Sequence, residues 1–457
     1  MNFGESSTVN RLPLNLLDNH FGKNAHPFSD LRIASVLKPY SGKVPKDFKS
    51  MGVHVFSAEE SDESDGSSER LSVFTLSQDE KYINTHNCMG VLRFRDKESE
   101  QSVLLQIKSR FDEGGDKQFF LTYLLNKVFG GCFTDDPVPS DPDSMWDILV
   151  AFIFRRQLQH ACEVGLFKQY RKFAHNNLRY RGKFNLDEHL KLNMPFLGKI
   201  AYTTKDITFD NPVNHLIRHA MAKINKKWPW LLAGDNELVS LRHEFEQNTP
   251  SWQQGDAISC IHKKENASPI KHPFFADYYE PLRKLALSIL HDEGASLYDS
   301  RENEVEGIIF DGAWLWEEYI ATILPLGFTH CHWGKEGMKV FESEEYTLYP
   351  DFWYKEKRIV FDTKYKRVNN RREDIHQVLA YMFLANSNCG GLIYPPDGKA
   401  CTPEIKDQDP RMICRTEKDS TEWHDIVFGS GINPDKQAME KAETSLQKYI
   451  DTLIRER

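Results

Sequence analysis

Between residues 91 and 111 the chain alternates apolar runs with a polar break. VLRFR (91–95) and VLLQIKSRF (103–111) are rich in β-formers, and DKESEQS (96–102) between them is turn-like. Two strands are predicted there. KQFFLTYLLNKVFGG (117–131) predicts a helix closed by glycines. From 145 the spacing turns helical: MWDILVAFIFRRQLQHACEVGLFKQY (145–170) places apolar residues on one side and basic residues on the other. RGKFNLDEHLKLN (181–193) follows, and then KIAYTTKDITFD (199–210) reads as a strand. NPVNHLIRHAMAKINKKW (211–228) returns to helix, with Asn211 as cap and Pro212 in the first turn.

Beyond 270 the two periods alternate. YYEPLRKLALSILHDEG (278–294) and GAWLWEEYIATILPLG (312–327) predict helices, the second ended by Pro325 and Gly327. EYTLYPDFWY (345–354) and KRIVFDTKYK (357–366) predict strands joined by the charged turn KEK (355–357). A helix at 372–387, strands at GGLIYPP (390–396) and HDIVFG (424–429), and an amphipathic closing helix from Lys436 complete the order. This order predicts an α/β fold around a mixed sheet flanked by helices. TDDPVPSDPDS (134–144) is a natural boundary. Three parts are expected: an α+β N-terminal region (1–145), a mainly helical middle domain (146–270) and a C-terminal α/β domain (271–457).

Composition excludes several classes. With 457 residues, 40% hydrophobic and 27% charged, the chain is an ordinary globular one. No apolar run reaches the roughly 18 residues of a membrane span, and the first residues lack a signal-peptide pattern. A cytoplasmic protein is expected. The eight cysteines follow no regular spacing, which predicts reduced thiols. Net charge is −9, but it is segregated. Residues 57–70, SAEESDESDGSSER, form an acidic loop. Residues 155–183 hold eight Lys/Arg against one Glu, and 364–372, KYKRVNNRR, hold five bases and no acid. Such stretches can steer a polyanion, although solvated surface is the usual role of a charge run.

The chemistry concentrates in YPDFWYKEKRIVFDTKYK (349–366). Strand alternation puts Asp362 and Lys364 on one face. A hairpin at KEK would bring Asp351 beside Asp362. Two carboxylates make a hard-oxygen site suited to Mg²⁺, with Mn²⁺ as the alternative. A lysine beside it can orient or help deprotonate a water, or stabilise charge on a phosphate. An exposed hairpin facing water is the plain alternative, because D-x-K alone is common. Gln377 and Tyr381 are four apart on one helix face and are candidates to support the ligands or contact a nucleic-acid backbone. Lys366, Arg367, Arg371 and Arg372 are further candidate nucleic-acid contacts. One more acid is expected from the preceding helix. Trp316, Ile320 and Leu324 form its expected buried stripe, with Glu317 at the edge and Glu318 the second choice.

These residues resemble the PD-(D/E)xK nuclease superfamily, as Pro350 and Asp351, then Asp362, Thr363 and Lys364. The wider motif order resembles the McrC family of modification-dependent restriction systems. It runs GLFKQYRKFAHNNLRYRGKFNLDEHL, DNPVNHLIRHAM, EGIIFDGAWLWEEYIATIL, the PD…DTK core and QVLAYMFL…GGLIYP. The resemblance covers roughly residues 145 to 457. It implies a C-terminal restriction-endonuclease-like domain that cuts DNA with a divalent metal. It also implies a partner, an McrB-like AAA+ GTPase ring that recognises modified DNA and docks onto the N-terminal part. Asp351, Asp362 and Glu317 would bind metal, Lys364 would be the catalytic lysine, and Gln377 would support them.

No G-x-x-x-x-G-K-[S/T] occurs, so nucleotide hydrolysis is expected from the partner. One such site cuts one strand, so double-strand cleavage would require two copies. His330, Cys331 and His332, like Cys260 and His262, lack a second ligand pair at zinc-like spacing. No G-x-S-x-G begins a hydrolase triad. Two further readings stand beside the nuclease: a non-catalytic adaptor of the ring, and a nuclease of a repair or RNA-cleaving complex.

Overall fold

Strand Val305–Asp311 pairs antiparallel with Cys88–Arg95 and parallel with His54–Phe56. A segment late in the chain thus completes a sheet begun by the N-terminal region. The order is Arg11–Leu17, Ser102–Lys108, Cys88–Arg95, Val305–Asp311, His54–Phe56. The predicted hairpin at 88–108 forms its centre. Gly90 permits the crossing: at φ +140° its position allows no side chain, since a Cβ would lie 2.1 Å from the Ile308 carbonyl oxygen.

The computed structural model describes residues 11–18, 25–27, 30–51, 53–57, 72–96, 101–112, 119–129, 142–233, 236–291, 305–331, 337–342, 346–366, 372–395, 406–407, 411–413, 421–428 and 435–456. The acidic loop from 58 and most of the 134–144 boundary lie outside these residues. The chain divides into Met1–Leu149 with Ser300–Arg457, and Val150–Asp299. The sequence instead predicts boundaries at 145 and 270. Its N-terminal and C-terminal regions make one unit, because Val305, Ile308, Ile309 and Phe310 are buried in the shared sheet.

The first unit also holds a seven-stranded mixed sheet. Ile359–Thr363, Cys389–Tyr394 and Thr421–Val427 run parallel at its centre, and Phe352–Tyr354 and Thr329–His330 extend it antiparallel. IVFDT and CGGLIY are buried at every position, as strands covered on both faces must be. Helix Arg372–Leu384 makes the crossover between the first two parallel strands and packs Val378, Tyr381 and Met382 against Val360, Leu392 and Trp423. Helix Gly312–Ala321 buries Leu315, Trp316, Tyr319 and Ile320 but closes before Leu324, which is only half-buried. Glu443 on the C-terminal helix Lys436–Arg455 fixes that helix in place. It accepts from Tyr319 Oη at 2.9 Å, Tyr123 Oη at 2.7 Å and Lys127 Nζ at 2.8 Å.

The second unit is less uniformly helical than expected. Helix Pro142–Cys162 stops short of Tyr170, closed by Gly165 at φ +80°, whose N–H donates to the Cys162 carbonyl. Gln169–Asn177 is a strand, paired along its whole length with Ile200–Thr208, which also pairs with Lys183–Phe184. The long antiparallel ladder satisfies backbone groups that a continued helix would have satisfied internally. Helix Pro212–Lys227 begins as predicted, with the Asn211 side chain accepting from Asn214 N–H. No helix among the described residues is long and apolar enough to cross a membrane.

Candidate active site

The Lys355–Arg358 turn reverses the chain, with Arg358 at φ +55°. Phe352 then pairs with Phe361, Trp353 with Val360 and Tyr354 with Ile359. One step beyond the Phe352–Phe361 pair, on the side away from the turn, Asp351 lies across from Asp362. Thr363 anchors Asp351: its N–H and its hydroxyl both donate to Oδ2 at 2.6 Å. Asp362 is 1% exposed, and Lys364 Nζ lies 2.5 Å from its Oδ2. The same ammonium donates to Gln377 Oε1 at 2.9 Å, and Gln377 Nε2 donates to Tyr381 Oη at 2.8 Å. The i, i+4 spacing of Gln377 and Tyr381 therefore builds a chain of hydrogen bonds ending on Lys364.

Glu317 enters from helix Gly312–Ala321, whose first turn is capped by Asp311 accepting from Ala313 and Trp314 N–H. His330 Nε2 lies 2.7 Å from Glu317 Oε1. Burial and then the charge of Asp362 push Glu317 up to about 8. Burial, then Asp362 and Glu317, push Asp351 well above the carboxylate range, against Lys364 and Thr363. Burial works against the Lys364 charge, but Asp362 and Asp351 outweigh it and raise its pKa. Burial holds His330 below the usual imidazole range despite Glu318 and Asp351. Three carboxylates thus face one ammonium in a mostly buried pocket. A pocket of this kind fits a divalent cation, whose charge would relieve the mutual repulsion that the raised pKa values record.

Three contributors escaped the sequence reading. In the sequence Thr363 is only the middle residue of the D-T-K motif. His330 was weighed as one half of a metal pair with His332, which lies outside the described residues, yet the pairing of Thr329–His330 with Phe352–Trp353 turns it toward Glu317. Tyr365, next to Lys364, reaches into the N-terminal part of the same unit. Its hydroxyl lies 3.0 Å from Ser109 Oγ, its ring packs on Phe111 and under the Arg110 guanidinium 4.7 Å away, and Arg110 pairs with the buried Asp18 at 3.2 Å. Gly312 leaves room for that ring, since a Cβ there would lie 2.4 Å from Tyr365 Cε1.

The candidate nucleic-acid contacts divide. Arg367 and Arg371 lie outside the described residues, and Arg372 is exposed at the start of its helix. Lys366 is bound to Asp374. Tyr381 is buried and holds Gln377, so in this arrangement it supports the pocket from within rather than offering a surface contact.

A family model described as McrBC 5-methylcytosine restriction system component matches residues 83–395. No curated protein matches the chain. Among solved structures, a refined half-complex from a tetradecameric assembly of Thermococcus gammatolerans McrB AAA+ hexamers with bound McrC is similar, with a TM-score of 0.48 and 14% identity over 96% of this chain and 100% of that one. A cryo-EM structure of the Thermococcus gammatolerans McrBC complex gives a TM-score of 0.30 and 13% identity over 69% of this chain and 87% of that one.

Proposed function

From its membership of the McrBC 5-methylcytosine restriction system component family, the McrC family its motifs resemble, we propose that this chain is a Mg²⁺-dependent DNA endonuclease subunit. Its C-terminal mixed sheet would be a PD-(D/E)xK nuclease core. The observation that carries this reading is the convergence of Asp351, Asp362 and Glu317 on one pocket with Lys364.

Asp351, Asp362 and Glu317 would hold the cation. Bound there, Mg²⁺ supplies a more acidic water and charge neutralisation at the phosphoryl oxygens. The chain's own residues do the rest. Thr363 commits one Asp351 oxygen to the protein and so fixes the carboxylate plane. Gln377 and Tyr381 hold the Lys364 ammonium toward the pocket. Lys364, paired with Asp362 and held by Gln377, would orient or help deprotonate the water, or stabilise the phosphate as negative charge builds in the in-line transition state. The water oxygen bonds to phosphorus as it gives up a proton to solvent, and the bond to the 3′ oxygen breaks, that oxygen taking a proton from solvent.

An AAA+ GTPase ring would recognise modified DNA and activate cleavage, and two copies would cut both strands. The family resemblance implies docking through residues 1–145. The Val150–Asp299 unit offers a second candidate surface for it, because Tyr170, Leu178, Tyr180, Phe184, Leu197 and Ile207 are exposed on and around its sheet.

The test is cleavage of long methylated and unmethylated DNA, with and without Mg²⁺, the ring and GTP. Asp362→Ala and Lys364→Ala are compared with wild type. Loss in both variants supports the nuclease. Unchanged cleavage places the chemistry in another subunit and leaves this chain an adaptor.

A further inference from the structure

The parallel strands carry a second cluster at their other end. Asp362 pairs with Leu392, whereas Cys389, at the start of that strand, pairs with Ile359, about 10 Å along the sheet. Beside Cys389 on the next strand stands Glu422, its register partner, and His424 follows two residues later on the same face. The Cys389 sulfur, a Glu422 carboxylate oxygen and a His424 ring nitrogen all lie within 4.8 Å of one another. Cys389 and His424 are buried and Glu422 is half-buried.

Their separation suits coordination better than hydrogen bonding. His424 Nε2 and Glu422 Oε2 are 3.6 Å apart. That is long for a hydrogen bond and matches the edge of a tetrahedron whose bonds are about 2.0–2.3 Å. The other ring nitrogen, Nδ1, lies 2.6 Å from Tyr449 Oη on the C-terminal helix. With Nδ1–H donating to that oxygen, it is Nε2 that faces Glu422, an arrangement typical of histidines that bind metal. A thiolate, an imidazole and a carboxylate together favour zinc-like ions over Mg²⁺.

We propose that Cys389, Glu422 and His424 bind a zinc-class divalent ion, with a water in the fourth position. The Cys389 thiol releases its proton to solvent as the ion binds. The ion joins the second and third parallel strands, and through Tyr449 it ties them to the closing helix. This site is separate from the carboxylate pocket in position and in ligand chemistry.

The test uses the purified full chain. Its zinc content is measured after dialysis, and Co²⁺ is then titrated while the sulfur-to-cobalt charge-transfer absorption is recorded. A full equivalent of zinc is expected, with a charge-transfer band that Cys389→Ser abolishes. Glu422→Gln, at a half-buried position, should weaken Co²⁺ binding about tenfold or more with an unchanged circular dichroism spectrum, and Tyr449→Phe should do so less strongly. Asp362→Ala should keep both the zinc and the band, since the carboxylate pocket offers no sulfur. A folded wild-type chain that retains no zinc and shows no band overturns the proposal. So does a band that survives in folded Cys389→Ser, which would belong to another cysteine.

Discussion

Thr363 grips Asp351 twice, through its backbone N–H and its hydroxyl, each 2.6 Å from the same carboxylate oxygen. The pair lies where the two strands of the hairpin open, so a local hydrogen bond sets the orientation of a candidate metal ligand. Thr363→Val keeps the shape and the N–H but removes the hydroxyl. A lost charge-assisted hydrogen bond of about 1.5 kcal/mol predicts cleavage down roughly tenfold. Thr363→Ser should restore most of it. Single-turnover cleavage measures both, and equal rates in all three forms would remove the hydroxyl from the mechanism.

Glu317 is expected to link pH to metal binding. In the metal-free fold its pKa is raised from 4.5 to about 8. The folded chain therefore binds more protons than the unfolded chain between those values. The stability this group contributes is fully present below 4.5 and is lost as pH rises through about 8. Mg²⁺ needs the ionised carboxylate, so its apparent affinity should climb with pH up to about 8 and then level off. Thermal melts with and without Mg²⁺ from about pH 6 to 9 read this as a growing stabilisation. A pH-independent shift would mean that Glu317 does not hold the ion.

Gln377 positions Lys364 and is itself held by Tyr381. Gln377→Leu should slow cleavage about tenfold, the equivalent of one lost hydrogen bond to a charged group. Tyr381→Phe should have a smaller effect in the same direction. Both variants should bind DNA as wild type does. A defect confined to DNA affinity would instead make Gln377 a nucleic-acid contact.

Cleavage and docking should separate. Asp362→Ala is expected to abolish cleavage and still bind the ring. Leu197→Asp, on the exposed apolar surface, is expected to weaken ring binding at least tenfold while leaving circular dichroism unchanged. Pull-down and cleavage assays on the same preparations decide it. Wild-type ring binding by Leu197→Asp would return docking to residues 1–145.

Arg110 and Asp18 form a buried pair beneath Tyr365. Arg110→Met would leave the Asp18 carboxyl buried without its cation and should cost about 3–5 kcal/mol in denaturant unfolding. Asp18 already sits near pKa 6, raised by burial against Arg110, so part of that loss should be recovered at acidic pH. An unfolding free energy within about 0.5 kcal/mol of wild type at neutral pH would refute the coupling.

Much of the candidate site follows from rules that act over a few residues. Strand alternation put Asp362 and Lys364 on one face, and a short charged turn brought Asp351 opposite Asp362. Helical spacing aligned Gln377 with Tyr381, and Asn211 and Pro212 marked a helix start. Sequence by itself determined these, because φ/ψ preferences, turn lengths and side-chain periods are local properties.

Tertiary structure decided the rest. It chose Glu317 over Glu318 as the acid facing Asp362, turned His330 toward Glu317, and sent Tyr365 to Ser109, Arg110 and Phe111, more than 250 positions away in the chain. It made one unit of the two ends of the chain through strand Val305–Asp311, and it placed Cys389 beside Glu422 and His424 at no recognisable motif spacing. Such pairings depend on which strands share a sheet. That choice is set by burying apolar faces and satisfying backbone groups over the whole domain, so no local pattern records it.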